Sequence, residues 1–128
     1  MKDHHTSIVV RCLFQLGTPL QPFAVVENTN TDRIMRVRIS EEVFTSLMEA
    51  GIPICQPTTA PPASLANVNV LCVFRMFIGA QEPIPYAIGE SKENCEIVII
   101  QITDALFDFF RLLGVPMCPI IQAINGAD

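Results

Sequence analysis

The chain has no tryptophan, one tyrosine and two histidines, and only 16% of its residues are charged. Both histidines, His4 and His5, lie at the extreme start. None remains in the body of the chain to serve a serine or cysteine nucleophile, so Ser-His and Cys-His hydrolytic pairs are not expected. Glycine-rich phosphate loops of the G-x-G-x-x-G or G-x-x-x-x-G-K-[ST] type are missing, and with them the usual signal for nucleotide binding. None of the five cysteines falls in a C-x-x-C pair, so the close spacings typical of zinc and dithiol redox motifs are absent. No apolar run reaches the roughly 18 residues that a membrane helix needs. The two richest stretches are broken by Arg75 and by Asp108, Arg111, Pro116 and Pro119. The first ten residues lack the apolar length and cleavage-like site of a secretory signal. These features point to a soluble, cytoplasmic chain. The net charge of −5 runs against a nucleic-acid footprint, which is basic.

Half of the residues are apolar, and the mean hydropathy is +0.41. Soluble monomers rarely expose large apolar patches, so the surplus points to a subunit interface. A chain of 128 residues is long enough for one sizeable core, and a single compact domain, 1–128, is expected.

Within that domain the chain repeats itself. At an offset of 63, residues 22–55 lie on 85–118 without a gap; at an offset of 60, IVVRCLFQ (8–15) lies on VNVLCVFR (68–75). The helix-exit phrases AGIPIC (50–55) and LGVPMC (113–118) coincide, as do Phe44 with Phe107 and Cys12 with Cys72. This is the pattern of a tandem duplication. Repeat 1 is 8–55, a proline-rich linker is 56–67, repeat 2 is 68–118, and 119–128 is a C-terminal tail. A three-residue insertion falls within 76–84 of the second copy.

Each repeat reads as β-β-β-α. The first segment alternates, with Ile8, Val10, Cys12 and Phe14 on one face and Val68, Val70, Cys72 and Phe74 on the matching one. Ser40 and Thr103 occupy helix N-cap positions, and Gly51 and Gly114 occupy the left-handed stop, followed by Pro53 and Pro116. The expected fold is α+β: a duplicated β-β-β-α unit with pseudo-twofold symmetry. Its strands are mostly antiparallel, in one six-stranded sheet or a small barrel with two helices.

The residues with chemical potential are few. Cys12 and Cys72 read as inward-facing, and Cys55 and Cys118 close the helix exits. Burial is the first reading of these thiols, crosslinking the second and a four-thiolate metal site the third. Cys95 has no counterpart and follows a polar turn, so Cys55, Cys95 and Cys118 are the candidate thiol or crosslink positions. Glu27 and Glu90 are equivalent and could meet at a twofold axis, although solvated turn positions are the simpler reading. Arg11, Arg33, Arg36 and Arg38 could form a basic patch, with Arg36 and Arg38 on the outer face of the third strand as candidate anion binders. Phe109, Leu112 and Leu113 give the second helix apolar positions that the first lacks, and they are the candidate oligomer interface.

No catalytic set, metal site or cofactor is implied. The expected role is a non-enzymatic, self-associating structural or scaffold protein that contacts copies of itself through repeat 2. The alternative is a small regulatory module with an anion-binding pocket between the repeats.

Overall fold

A computed structural model describes residues 7–58, 62–76 and 82–122. His4, His5 and most of the expected 76–84 insertion lie outside the described residues. Strands β1 (Ile8–Leu16), β2 (Gln21–Asn28) and β3 (Arg33–Arg38) lead into helix α1 (Glu41–Glu49). After a short 3-10 segment (Pro62–Asn67), β4 (Val68–Met76), β5 (Ile84–Ser91) and β6 (Ile97–Gln101) lead into α2 (Asp104–Leu112), and β7 (Ile120–Gln122) follows. None of the helices is long and apolar enough to cross a membrane among the described residues.

The strands do not form one six-stranded sheet, and they do not close a barrel. They form two antiparallel sheets, β1-β2-β3 and β4-β5-β6, and β7 adds in parallel to the free edge of β3. The division follows from sidedness. One face of each sheet contributes to a shared central core: Cys12, Phe14, Phe23, Val25 and Ile34 from the first, Cys72, Phe74, Tyr86, Ile88, Ile97 and Ile99 from the second. The opposite faces carry one helix each. Leu13, Ala24 and Val26 pack with Phe44 of α1, and Val73, Ala87 and Ile100 pack with Phe107 of α2. The order of layers is helix, sheet, sheet, helix. Cross-strand aromatic pairs, Phe14 on Phe23 at 5.1 Å and Phe74 on Tyr86 at 5.4 Å, fill the middle.

The uninterrupted alternation expected of the first strands is broken in both sheets. The pairing register shifts between Val10 and Cys12 and again between Val70 and Cys72. Arg11 and Leu71 are the extra residues of these β-bulges, and a bulge reverses the phase of side chains beyond it. Val10 therefore packs on the α1 side while Cys12 and Phe14 enter the central core. Val70 likewise packs on the α2 side and Cys72 enters the core.

The helix ends follow their sequence signals. The Ser40 hydroxyl accepts from the Val43 N–H and the Thr103 hydroxyl from the Leu106 N–H, both at 3.1 Å. Each helix stops in a Schellman arrangement. Ile52 N–H donates to Leu47 O and Gly51 N–H to Met48 O; Val115 N–H donates to Phe110 O and Gly114 N–H to Arg111 O. Gly51 and Gly114 take φ of +97° and +94°, where a side chain is strained.

The chain leaving each helix then joins both sheets. Leu13 N–H donates to Pro53 O and Cys55 N–H to Leu13 O, which lays the first exit along β1. Three residues later Thr58 N–H donates to Ile99 O and Gln101 N–H to Thr58 O, which lays the same exit on β6 of the other sheet. The second exit does the reverse: Val73 N–H donates to Pro116 O and Cys118 N–H to Val73 O, and then Arg36 N–H donates to Pro119 O at the start of the β7–β3 ladder. Residues 120–122, assigned from sequence to a tail, are thus a strand, and the linker carries an ordered sheet contact at Thr58.

Gly51→Ala and Gly114→Ala should each cost about 1 kcal/mol of folding stability, because alanine must hold a positive φ to keep the exit aimed at the sheet. Urea denaturation checks this, and unchanged midpoints in both variants would show that the stop geometry is dispensable.

Candidate functional site

The largest change in side-chain character between the two halves lies on α2. Phe107 points into the sheet, and its ring lies 4.0 Å below the Arg75 guanidinium, which also pairs with Asp104 at 3.3 Å. Beyond that anchor the helix presents Phe109, Leu112 and Leu113 to solvent, 52%, 86% and 65% exposed. Phe109 and Leu113 also border an apolar groove of about 430 Å³, whose other walls are Leu65, Val68 and Val70 on the sheet side and Leu106, Phe110 and Val115 on the helix side. The corresponding side of α1 displays Glu41, Glu42, Thr45 and Glu49, with only Val43 and Met48 as large exposed apolar groups. The sequence difference between the helices thus becomes an exposed apolar face and not an extra layer of core.

A second feature joins the halves through charge. Arg11, aimed by its bulge, donates to Glu27 Oε1 and to Glu90 Oε2, both at 2.7 Å, and to the Cys95 carbonyl at 3.1 Å. Glu27 and Glu90 are each the penultimate residue of their strands, β2 and β5, so the packing of the two sheets brings these corresponding carboxylates to one cation. The three side chains are about three-quarters buried. Burial opposes the Arg11 charge, but the two carboxylates outweigh it and raise its pKa above the ordinary arginine value. Leu71 holds the matching bulge in the other half and packs on the central core. Sequence reasoning grouped Arg11 with a basic patch; the bulge that separates it from that group has no residue signature.

Arg36 lies on the inner face of β3, not the outer face expected. It shares that face with Ile34, which packs in the central core, and Arg36 is 6% exposed. Its guanidinium stacks over Phe74 of the opposite sheet at 4.0 Å and donates to Cys118 O at 3.1 Å, while its Nε has no partner among the described residues. Arg38 is half-buried one position farther along that face. In the other half this face carries Ile99 and Gln101.

The four equivalent thiols form two pairs and not one cluster. Cys12 and Cys55 line one cavity, and Cys72 and Cys118 are both buried in the central core. In each pair one thiol holds its proton and the other ionises first. The neighbouring Cys72 thiol and the Arg36 guanidinium lower the Cys118 pKa, and Cys72 is pushed up in turn; the Cys118 Sγ itself donates to Ile34 O at 3.7 Å. The same relation lowers Cys55 and raises Cys12. Among the described residues no group of three or more histidine, cysteine or acidic side chains could hold a metal ion. Cys95 is exposed, with φ of +62°. No protein-family model, curated protein or solved structure matches the chain.

Replacing Arg11 by Met should cost about 2 kcal/mol, because two partly buried carboxylates then face one another without a cation. In that background Glu27→Gln with Glu90→Gln should recover part of the loss, and added salt should narrow the gap between Arg11→Met and wild type. Denaturation of the series measures this; a neutral Arg11→Met would show that the ion triad contributes nothing.

Proposed function

We propose that the chain is a non-enzymatic, self-associating structural or scaffold protein. It descends from a duplicated β-β-β-α unit with pseudo-twofold symmetry, and its second unit makes the contact with other copies. The observation that carries this reading is the exposed row Phe109, Leu112 and Leu113 beside the apolar groove. A ridge and a groove on one face suit an isologous contact, in which the ridge of each copy enters the groove of the other.

Magnitudes set the extent of the interface. In such a dimer the ridge is buried twice, six side chains in all, which contributes roughly 10 kcal/mol. Association costs about 4–15 kcal/mol of rotational and translational freedom. The groove walls from Leu65, Val68 and Val70 must therefore be covered as well for a stable assembly.

The duplication is supported by local geometry shared at the same offsets that align the sequence. Both halves have the bulge at Arg11 and Leu71, the caps at Ser40 and Thr103, and the left-handed residues at Asp32 and Cys95. Both also place a parallel bridge between the first strand and the exit, Leu13 with Ile54 and Val73 with Met117.

The anion-binding alternative has one observation in its favour, the unpartnered Arg36 Nε. Phe74 covers that guanidinium, and neither Arg36 nor Arg38 lines the cavity beside Arg11 or the groove beside α2. Self-association is the better-supported reading.

Light scattering after size-exclusion chromatography should show a mass that rises with concentration. Leu112→Lys with Leu113→Lys should yield a monomer of unchanged thermal stability, since both positions are exposed within the chain. A wild-type monomer across a wide concentration range would remove the proposal.

A further inference from the structure

The two thiol pairs have the same backbone setting and different surroundings. Cys72 and Cys118 are sealed in the central core, beneath Arg36 and against Ile34 O. Cys12 is equally buried, but its partner Cys55 is half-exposed, and both line a cavity of about 480 Å³ that also takes in Arg11, Cys95 and Glu96. At the position that matches Arg36 the other half carries Ile99. The core face that covers Cys118 has Arg36 laid across it, whereas the cavity wall beside Cys55 is Ile97 and Val98. Cys55 belongs to the first exit and is pinned to β1 by its own N–H to Leu13 O at 2.7 Å, which holds it on the cavity wall that it shares with Cys12.

We propose that Cys12 and Cys55 are a site of reversible intramolecular disulfide formation, reached by a small hydroperoxide through the cavity beside Arg11. The Cys72–Cys118 pair stays reduced in the folded chain because its surroundings admit no oxidant.

The chemistry balances without a further co-reactant. The Cys55 thiolate attacks one peroxide oxygen, the O–O bond breaks, and Cys55 becomes a sulfenic acid while hydroxide leaves and takes up a proton. The Cys12 thiol then attacks that sulfur, a second water departs with the Cys12 proton, and the S–S bond forms. Two thiols are oxidised and one hydrogen peroxide is reduced to two waters. Cys55 is suited to the first step because it is the more exposed thiol of the pair and lies on the cavity wall, where the neighbouring Cys12 thiol also lowers its pKa. Cys12, held as a thiol, resolves the sulfenic acid. The bond would clip the exit to β1 and so fix the segment that passes from one sheet to the other.

The test treats the folded full chain with hydrogen peroxide, blocks free thiols with iodoacetamide and maps crosslinked peptides by mass spectrometry. The expected product is a Cys12–Cys55 linkage within one chain that dithiothreitol reverses, with Cys72 and Cys118 alkylated only after denaturation. Cys12→Ser and Cys55→Ser should each abolish the linkage, and Cys95→Ser should leave it intact. Oxidation should also raise the thermal midpoint of wild type reversibly. The wild-type map does not depend on the folding of any variant. A Cys55–Cys95 linkage, crosslinks only between chains, or oxidation of both core pairs together would each overturn the proposal.

Discussion

The structure depends on what the chain does in the few residues after each helix. A left-handed glycine turns it back, a proline keeps it extended, and it then pairs with the first strand of its own sheet before reaching the third strand of the other. Two sheets packed only through side chains could slide on an apolar interface, since burial is non-directional. The backbone hydrogen bonds at Cys55 and Thr58, and those that Cys118 donates and Pro119 O accepts, set where the sheets sit relative to one another. They also cover strand edges that would otherwise present unpaired peptide groups.

The two halves differ in what they place at corresponding points of this frame. One bulge carries Arg11 and the other Leu71, so one end of the central core is closed by an ion triad and the other by an apolar contact. One inner strand carries Arg36 and the other Ile99, so a guanidinium crosses the interface at one site only. The helix exteriors diverge most, and the apolar excess of the sequence comes to the surface at Phe109, Leu112 and Leu113. Each difference gives one half a chemistry that the other lacks, while cap, stop and exit geometry are kept.

Much of one unit was legible from residue order. The caps at Ser40 and Thr103, the stops at Gly51 and Gly114 and the strand periodicities are local, and local sterics and hydrogen bonding determine them. The rest was not, for identifiable reasons. A bulge at Arg11 or Leu71 adds one residue with no composition signal, and it reverses the facing of everything beyond it. The two-sheet arrangement depends on both faces of each strand being apolar enough to bury. Ala24, Val26, Ala87 and Ile100 on the helix side show this, but alternation read from one strand assigns that side to solvent. Arg36 was misplaced because charge was taken as a sign of exposure, whereas its stem and ring contact allow burial against Phe74. The thiol pairs needed the exit path, since Cys55 and Cys118 are far in sequence from Cys12 and Cys72.

Native-state hydrogen exchange tests the role of the exits most directly. If they hold the sheets together, the Cys55, Cys118, Arg36 and Gln101 amides should exchange only through global unfolding, with the same opening free energy as Phe14 and Phe74. Exchange of those four amides through a smaller, local opening, while Phe14 and Phe74 remain protected, would show that the sheets hold their positions without the exits.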